Sequence, residues 1–187
     1  GQHDGVRVPE PQPPVGEDFG EALHKLPNMH LVSNPSFIEI GSKDGKEGIK
    51  VLMYHGASMH YIIGEIEELR LANAHSSPAK VIKHLLLRRH LAPTHGATTY
   101  IPGDTDCMLI DVVPDIITTG DLHRTDIDSY NGVLIIANSC WQSMTAFEEK
   151  VGNVPDPCKV PILNLKSREI KILDFSGDDV VGGEADG

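Results

Sequence analysis

The sequence predicts a layered α/β (or α+β) fold. Several short apolar runs bounded by Gly, Pro, Asn, Asp or Ser read as strands. Between them, from Ser58 to Arg89, the apolar spacing changes to a helical period. Strands on both sides of two central helices imply a sheet packed against a helical layer. A length of 187 residues suits one compact body rather than two.

Along the chain, Gln2 to Asp18 carries Pro9, Pro11, Pro13 and Pro14 and is expected to be an extended surface loop, since proline blocks helix and ladder pairing alike. A short helix is expected over Asp18–Leu26. Met29–Val32, Phe37–Ile40 and Ile49–Tyr54 read as strands, the last two joined by a polar turn. With Ser58 as N-cap, Ile62, Ile63, Ile66 and Leu69 fall at helical spacing. Ser77-Pro78 opens a second helix, a capping residue followed by proline at the first helical position, with Val81, Ile82, Leu85 and Leu86 on one face. A Gly/Thr/Pro/Asp-rich loop follows from Pro93 to Asp106. Further strands are expected at Met108–Ile110, Ile116–Thr119, Val133–Ala137, Val160–Leu165 and Ile170–Phe175, with a short helix at Met144–Lys150.

Charge and cysteine content exclude several classes. The 16 Lys and Arg against 27 Asp and Glu leave a net charge of −11, so a free-standing nucleic-acid module is excluded. Five of those acids lie in Asp174–Gly187 with no base among them, so an ordered body is placed at 1–175 and a disordered acidic tail at 176–187. No apolar run reaches the roughly 18 residues that a membrane span needs, and a cytoplasmic location is expected. Cys107, Cys140 and Cys158 lack C-x-x-C spacing and read as reduced, buried thiols.

Three places put histidine or acid directly after a predicted strand or a glycine turn: Gly1-Gln2-His3-Asp4, Tyr54-His55-Gly56 and Gly120-Asp121-Leu122-His123. Loops at strand ends are where a rigid scaffold presents ligands, and the adjacent glycines let the backbone turn sharply. Imidazole with carboxylate suits Zn, Fe or Mn, and a pair of such ions suits phosphoester hydrolysis. The remaining histidines, His24, His30, His60, His75, His84, His90 and His95, are assigned no functional role.

These three stretches, in this order, resemble the downstream half of the calcineurin-like metallophosphoesterase signature. Longer stretches resemble more narrowly the small subunits of archaeal DNA polymerase D: Gly5-Val6-Arg7, Glu10-Pro11-Gln12-Pro13, Val32-Ser33-Asn34-Pro35, Arg88 to Pro93, Val113-Pro114-Asp115, Asn138-Ser139-Cys140-Trp141-Gln142 and Val154 to Leu165. The resemblance runs from Gly1 to about Phe175. It implies a layered β-sandwich flanked by helices, of which the chain supplies the C-terminal part, because the upstream half of the signature does not occur in it.

The resemblance further implies a metal-dependent 3′–5′ exonuclease that proofreads DNA, with two divalent metals, Mn²⁺ or Mg²⁺. Partners would be the large polymerising subunit, in a heterodimer, and DNA 3′ ends, single-stranded or mismatched. By position His123 would ligate one metal, and Gln2, His55 and Asp121 the other. His3 would sit beside the scissile phosphate, with Asp4 fixing its tautomer. Gln2 stands where the family has Asn and Asp121 where it has His. Both are oxygen donors, so the second metal site is expected to be retuned toward Mn or Mg rather than lost. The alternatives are a phosphoesterase fold without activity that serves only to assemble the large subunit, and another kind of metallophosphoesterase. The bases of Lys80–Arg89 read as a solvated helix face, with a DNA-backbone contact as the alternative. Trp141 is expected to pack between sheet and helix, stacking on a displaced base being the alternative.

Overall fold

The computed structural model describes residues 1–151 and 153–177. Most of the expected acidic tail, 178–187, lies outside the described residues. A mixed α/β architecture is observed. The elements are α1 (Glu17–His24), β1 (Ser36–Ile40), β2 (Ile49–Tyr54), α2 (Met59–Glu65), α3 (Glu67–Leu71), α4 (Ala79–Arg88), β3 (Ile116–Thr119), β4 (Asp126–Tyr130), β5 (Val133–Ala137), α5 (Ala146–Val151), β6 (Lys159–Leu163) and β7 (Ile170–Asp174).

Five strands form one sheet in the order β1-β2-β3-β5-β4. The central pairs β2/β3 and β3/β5 are parallel, and β1 and β4 close the edges antiparallel. Strands covered on both faces need apolar side chains at successive positions, which is why β5 is wholly apolar and β2 and β3 carry the consecutive apolar pairs Val51-Leu52 and Ile116-Ile117. Leu52, Ile117 and Ile135, in register, face the main core and meet Ile62, Ile63, Val81, Ile82 and Leu85 of α2 and α4. Their neighbours Val51, Ile116 and Ile136 face the opposite side, where Leu163 of β6 packs beside Ile38, Ile49 and Leu134. β6 and β7 form a separate two-stranded antiparallel sheet.

The edge strand β4 is absent from the sequence reading. Its residues Asp-Ile-Asp-Ser-Tyr are polar and half-exposed, but Asn131-Gly132 behind them is a hairpin signal. Both residues adopt positive φ, 47° and 82°, as a two-residue turn requires. Asp126 of β4 also takes over the expected capping role of Ser77. Its Oδ2 accepts the Ala79 amide at 3.0 Å and the Ser77 hydroxyl at 2.9 Å, closing the start of α4.

Other expectations need correction. Met29–Val32 forms no strand, and Met108–Ile110 contributes only a single bridge between His90 and Leu109. The expected helix over Ser58–Leu69 breaks at Ile66 (φ −90°, ψ 107°) into α2 and α3. The proline-rich start is not all surface, because Glu10 and Gln12 are almost fully buried. Cys107 is exposed and Cys140 and Cys158 are half-buried, so none is the buried thiol expected. Trp141, in the loop beyond β5, is 69% exposed and lies against the Phe175 ring, at 6.0 Å between centroids. Along Lys80–Arg89, Lys83 pairs with Asp128, Lys80 Nζ donates to Ala72 O and Arg89, just past the end of α4, donates to the Ile110 and Asp111 carbonyls, so three of the four bases bind their own chain.

Candidate functional site

The register Tyr54–Thr119 places the carboxyl ends of β2 and β3 side by side, so His55 and Gly120 leave the sheet together. The Gly120 amide donates to His55 O at 2.9 Å and ties the two loops to each other. Gly56 then turns with φ +112°. A Cβ there would stand 2.4 Å from Met59 Cε and 3.2 Å from Asp121 Cβ, so only glycine lets the loops approach this closely. In the β3 loop Asp121 and His123 both adopt left-handed φ, 65° and 54°, while Leu122 between them is fully buried. Strain of this kind persists where surrounding packing over-determines it, and Leu122 supplies that packing.

These loops bring His55 and Asp121 into contact: His55 Nε2 lies 3.1 Å from Asp121 Oδ1. His60, on the first turn of α2, approaches the other carboxylate oxygen, with Nε2 3.9 Å from Oδ2. His60, which the sequence reading leaves without a role, thus lies beside the site and also packs beside His75, 5.3 Å between ring centroids. Burial alone would raise the Asp121 carboxyl, but the His55 hydrogen bond and the charges of His55, His60 and His123 outweigh it and hold the group below its ordinary value.

His123 is held from behind. Glu148, on α5, places Oε1 2.6 Å from His123 Nδ1. Its Oε2 accepts both the Thr145 amide and hydroxyl at 2.9 Å, while the Glu148 amide donates to Thr145 Oγ1. This reciprocal Thr-x-x-Glu arrangement is a capping box, and its spacing is legible in the sequence. Occupying Nδ1 leaves Nε2 as the free nitrogen of His123. A carboxylate behind an imidazole is the usual support of a metal-ligating histidine.

A buried polar network fixes the other side. Asn34 Oδ1 accepts the His55 amide at 2.8 Å, and Asn34 Nδ2 donates to Glu10 Oε1 and Gln12 Oε1 at 3.1 and 2.9 Å. Gln12 Nε2 donates in turn to the Gly1 carbonyl at 3.2 Å, and the Tyr54 hydroxyl reaches Glu10 Oε2 at 3.3 Å. Burial raises the Glu10 carboxyl, outweighing hydrogen bonds from Thr98, Asn34 and Tyr54 and the charge of His55. Gly1 is thereby set against the His55 ring, where a Cβ would stand 2.8 Å from Cε1. Gln2, His3 and Asp4 follow on the exposed side. None of Glu10, Gln12, Asn34 and Glu148 is singled out by the sequence as part of the site.

The donor set His55, Asp121 and His123, two imidazoles and a carboxylate, has the chemistry of a Mn, Fe or Zn site. Among the described residues no three His, Cys, Asp or Glu side chains converge to hold an ion by themselves. The donors fit one wall of a metal centre rather than a complete one.

The family profile of the B subunit of DNA polymerase alpha/epsilon matches residues 1–127. The chain is 35% identical over 179 residues to the DNA polymerase II small subunit of Pyrococcus abyssi, covering 95% of this chain and 27% of that protein. It is 38% identical over 179 residues to that of Archaeoglobus fulgidus and 36% over 176 residues to that of Thermoplasma acidophilum, each covering 34% of the relative. The chain thus spans about a third of the length of the curated relatives it matches. The profile covers more than half of the chain, and the chain belongs to the DNA polymerase alpha/epsilon B-subunit family.

Proposed function

We propose that the chain is part of the small subunit of an archaeal two-subunit DNA polymerase, in a calcineurin-like phosphoesterase domain that hydrolyses DNA from its 3′ end for proofreading. One observation carries the reading. His55, Asp121 and the Glu148-backed His123 gather at the carboxyl ends of two adjacent parallel strands, where open α/β sheets bind ligands.

His55 and Asp121, with Gln2 from the neighbouring loop, would hold one divalent metal, and His123 Nε2 the other, the remaining ligands coming from the longer subunit. Two such ions, Mn²⁺ or Mg²⁺, would supply Lewis acidity and an activated water when bound. The chain's own residues orient the rest. Asn34 and Gly120 fix the His55 backbone, Glu148 sets the His123 tautomer, and His3, on the exposed segment beside His55, is the group that meets the scissile phosphate and gives a proton to the leaving oxygen. The large polymerising subunit and DNA 3′ ends are the partners.

The second reading, a scaffold that only assembles the large subunit, draws on Gln2 and Asp121 standing where the family pattern has Asn and His. A 3′–5′ degradation assay of the full-length subunit with Mn²⁺ separates the two. The nuclease reading expects degradation that is lost in His3→Ala and His55→Ala while association with the large subunit persists. Absence of degradation in the wild type with intact assembly establishes the scaffold.

A further inference from the structure

Beyond β5 the chain folds back on itself in a way the site does not use. The Cys158 amide donates to the Cys140 carbonyl at 2.9 Å, and the Ser139 hydroxyl reaches the Asp156 carbonyl. Residues 139–140 and 156–158 therefore run against each other as neighbouring segments. The hydrogen bond makes Cys140 and Cys158 direct backbone neighbours across the two segments, and close approach of two cysteine backbones is the first requirement for a disulfide. Both cysteines are free and half-buried, and the Cys140 thiol donates to Gln142 O at 3.2 Å. The segment from Val154 to Cys158 is also fastened to the site loop: the Asp156 amide donates to His123 O at 2.8 Å and Arg124 donates to Val154 O at 2.7 Å.

From this juxtaposition we propose that Cys140 and Cys158 form a dithiol oxidation site, converted to an intramolecular disulfide by a small-molecule disulfide such as oxidised glutathione. One cysteine thiolate attacks a sulfur of the reagent, forming a mixed disulfide and expelling one thiolate. The second cysteine then attacks the protein sulfur of that bond, forming Cys140–Cys158 and expelling the other. The two cysteine protons end on the two released thiols, the protein loses two electrons and the reagent gains them. Bridging clamps the loop after β5 to the strap that holds the His123 backbone. Cys107, exposed on a different loop with only a long contact from Sγ to Thr105 O, is a control within the same chain.

The test equilibrates the purified full-length subunit with mixtures of oxidised and reduced glutathione, alkylates the remaining thiols and maps digests by mass spectrometry. The expected product is one peptide pair joined through Cys140 and Cys158, lighter by two hydrogens and abolished by reductant, with Cys107 recovered as thiol or glutathione adduct. Cys107→Ser retains the pair. Cys158→Ser leaves Cys140 only as alkylated thiol or glutathione adduct. Amide exchange at Asp156 slows in the oxidised wild type. The proposal is overturned by glutathione adducts at Cys140 or Cys158 without the joined pair, by full alkylation of both at every ratio, or by a bridge from either one to another cysteine.

Discussion

Glu148 Oε1 stands 2.6 Å from His123 Nδ1, while its Oε2 closes the first turn of α5 on Thr145. One buried carboxylate thus does two tasks, orienting an imidazole and capping a helix, and the two can be separated by substitution. Glu148→Gln keeps a partner for His123 but removes the charge that favours a ligating imidazole. Mn²⁺ binding by the full-length subunit, measured calorimetrically, is expected to weaken about 10–100-fold. Thr145→Ala breaks only the cap and should cost about 1 kcal/mol of stability, with affinity changing far less.

Gly56→Ala is expected to destabilise the protein by about 2–4 kcal/mol, read from the midpoint of denaturant unfolding. The added methyl meets the buried Met59 side chain at 2.4 Å in a backbone conformation with φ +112°. Gly41→Ala is the comparison: its φ is also positive, +79°, but a Cβ there meets nothing within 4 Å, so it should lose only the conformational part, about 1–2 kcal/mol.

Asn34 is the hub that holds His55. Asn34→Ala leaves the His55 amide without its acceptor and removes the donor to Glu10 and Gln12, at an expected cost of about 2–3 kcal/mol. Asn34→Asp keeps the acceptor but turns an oxygen toward Glu10 Oε1, so it should be no better than alanine. Hydrogen exchange of the His55 amide should accelerate in the alanine variant. An unchanged rate would show that Asn34 does not position His55.

The Asp106 carboxyl is held below its ordinary value of 3.8, first by the hydrogen bond with His90 and then by the Met108 amide. A carboxyl lowered on folding adds stability that is complete above its unfolded value and disappears as pH falls through the folded one. The contribution is therefore present in full at neutrality and is lost only on the acid side, below about pH 4. Titration of the Asp106 side-chain carbon by NMR should show a midpoint below 3.8 in the wild type. In His90→Asn it should rise without reaching the ordinary value, since the Met108 amide remains.

The legible part of the fold is its centre. The sequence places β2, β3 and β5 to the residue, because strands buried on both faces write themselves as apolar runs between turn residues. The edges are harder to read: Asp126–Tyr130 pairs through its backbone while its side chains stay polar, and Met29–Val32 has the composition of a strand without a neighbour to pair with. At the site, His55, Asp121 and His123 are legible because glycine sits beside each loop and marks the turn. Glu10, Gln12 and Asn34 lie up to 24 residues apart and meet only through a fold-back that leaves no periodic trace. His60 is hidden because it belongs to a helix whose apolar spacing draws attention to its neighbours.

Leu122 gives the loop after β3 a geometric rule. It is an apolar peg between two polar neighbours, both carried by left-handed backbone, so the separation of Asp121 from His123 is measured out by the peg and its socket. Removing a single residue between Gly120 and Arg124 would swap inside for outside and drive a carboxylate or an imidazole into the socket. Replacing leucine by another side chain of similar volume would leave the spacing intact. For anyone grafting or redesigning this loop, residue count is the quantity to hold constant, and side-chain identity at the peg is the one free to vary.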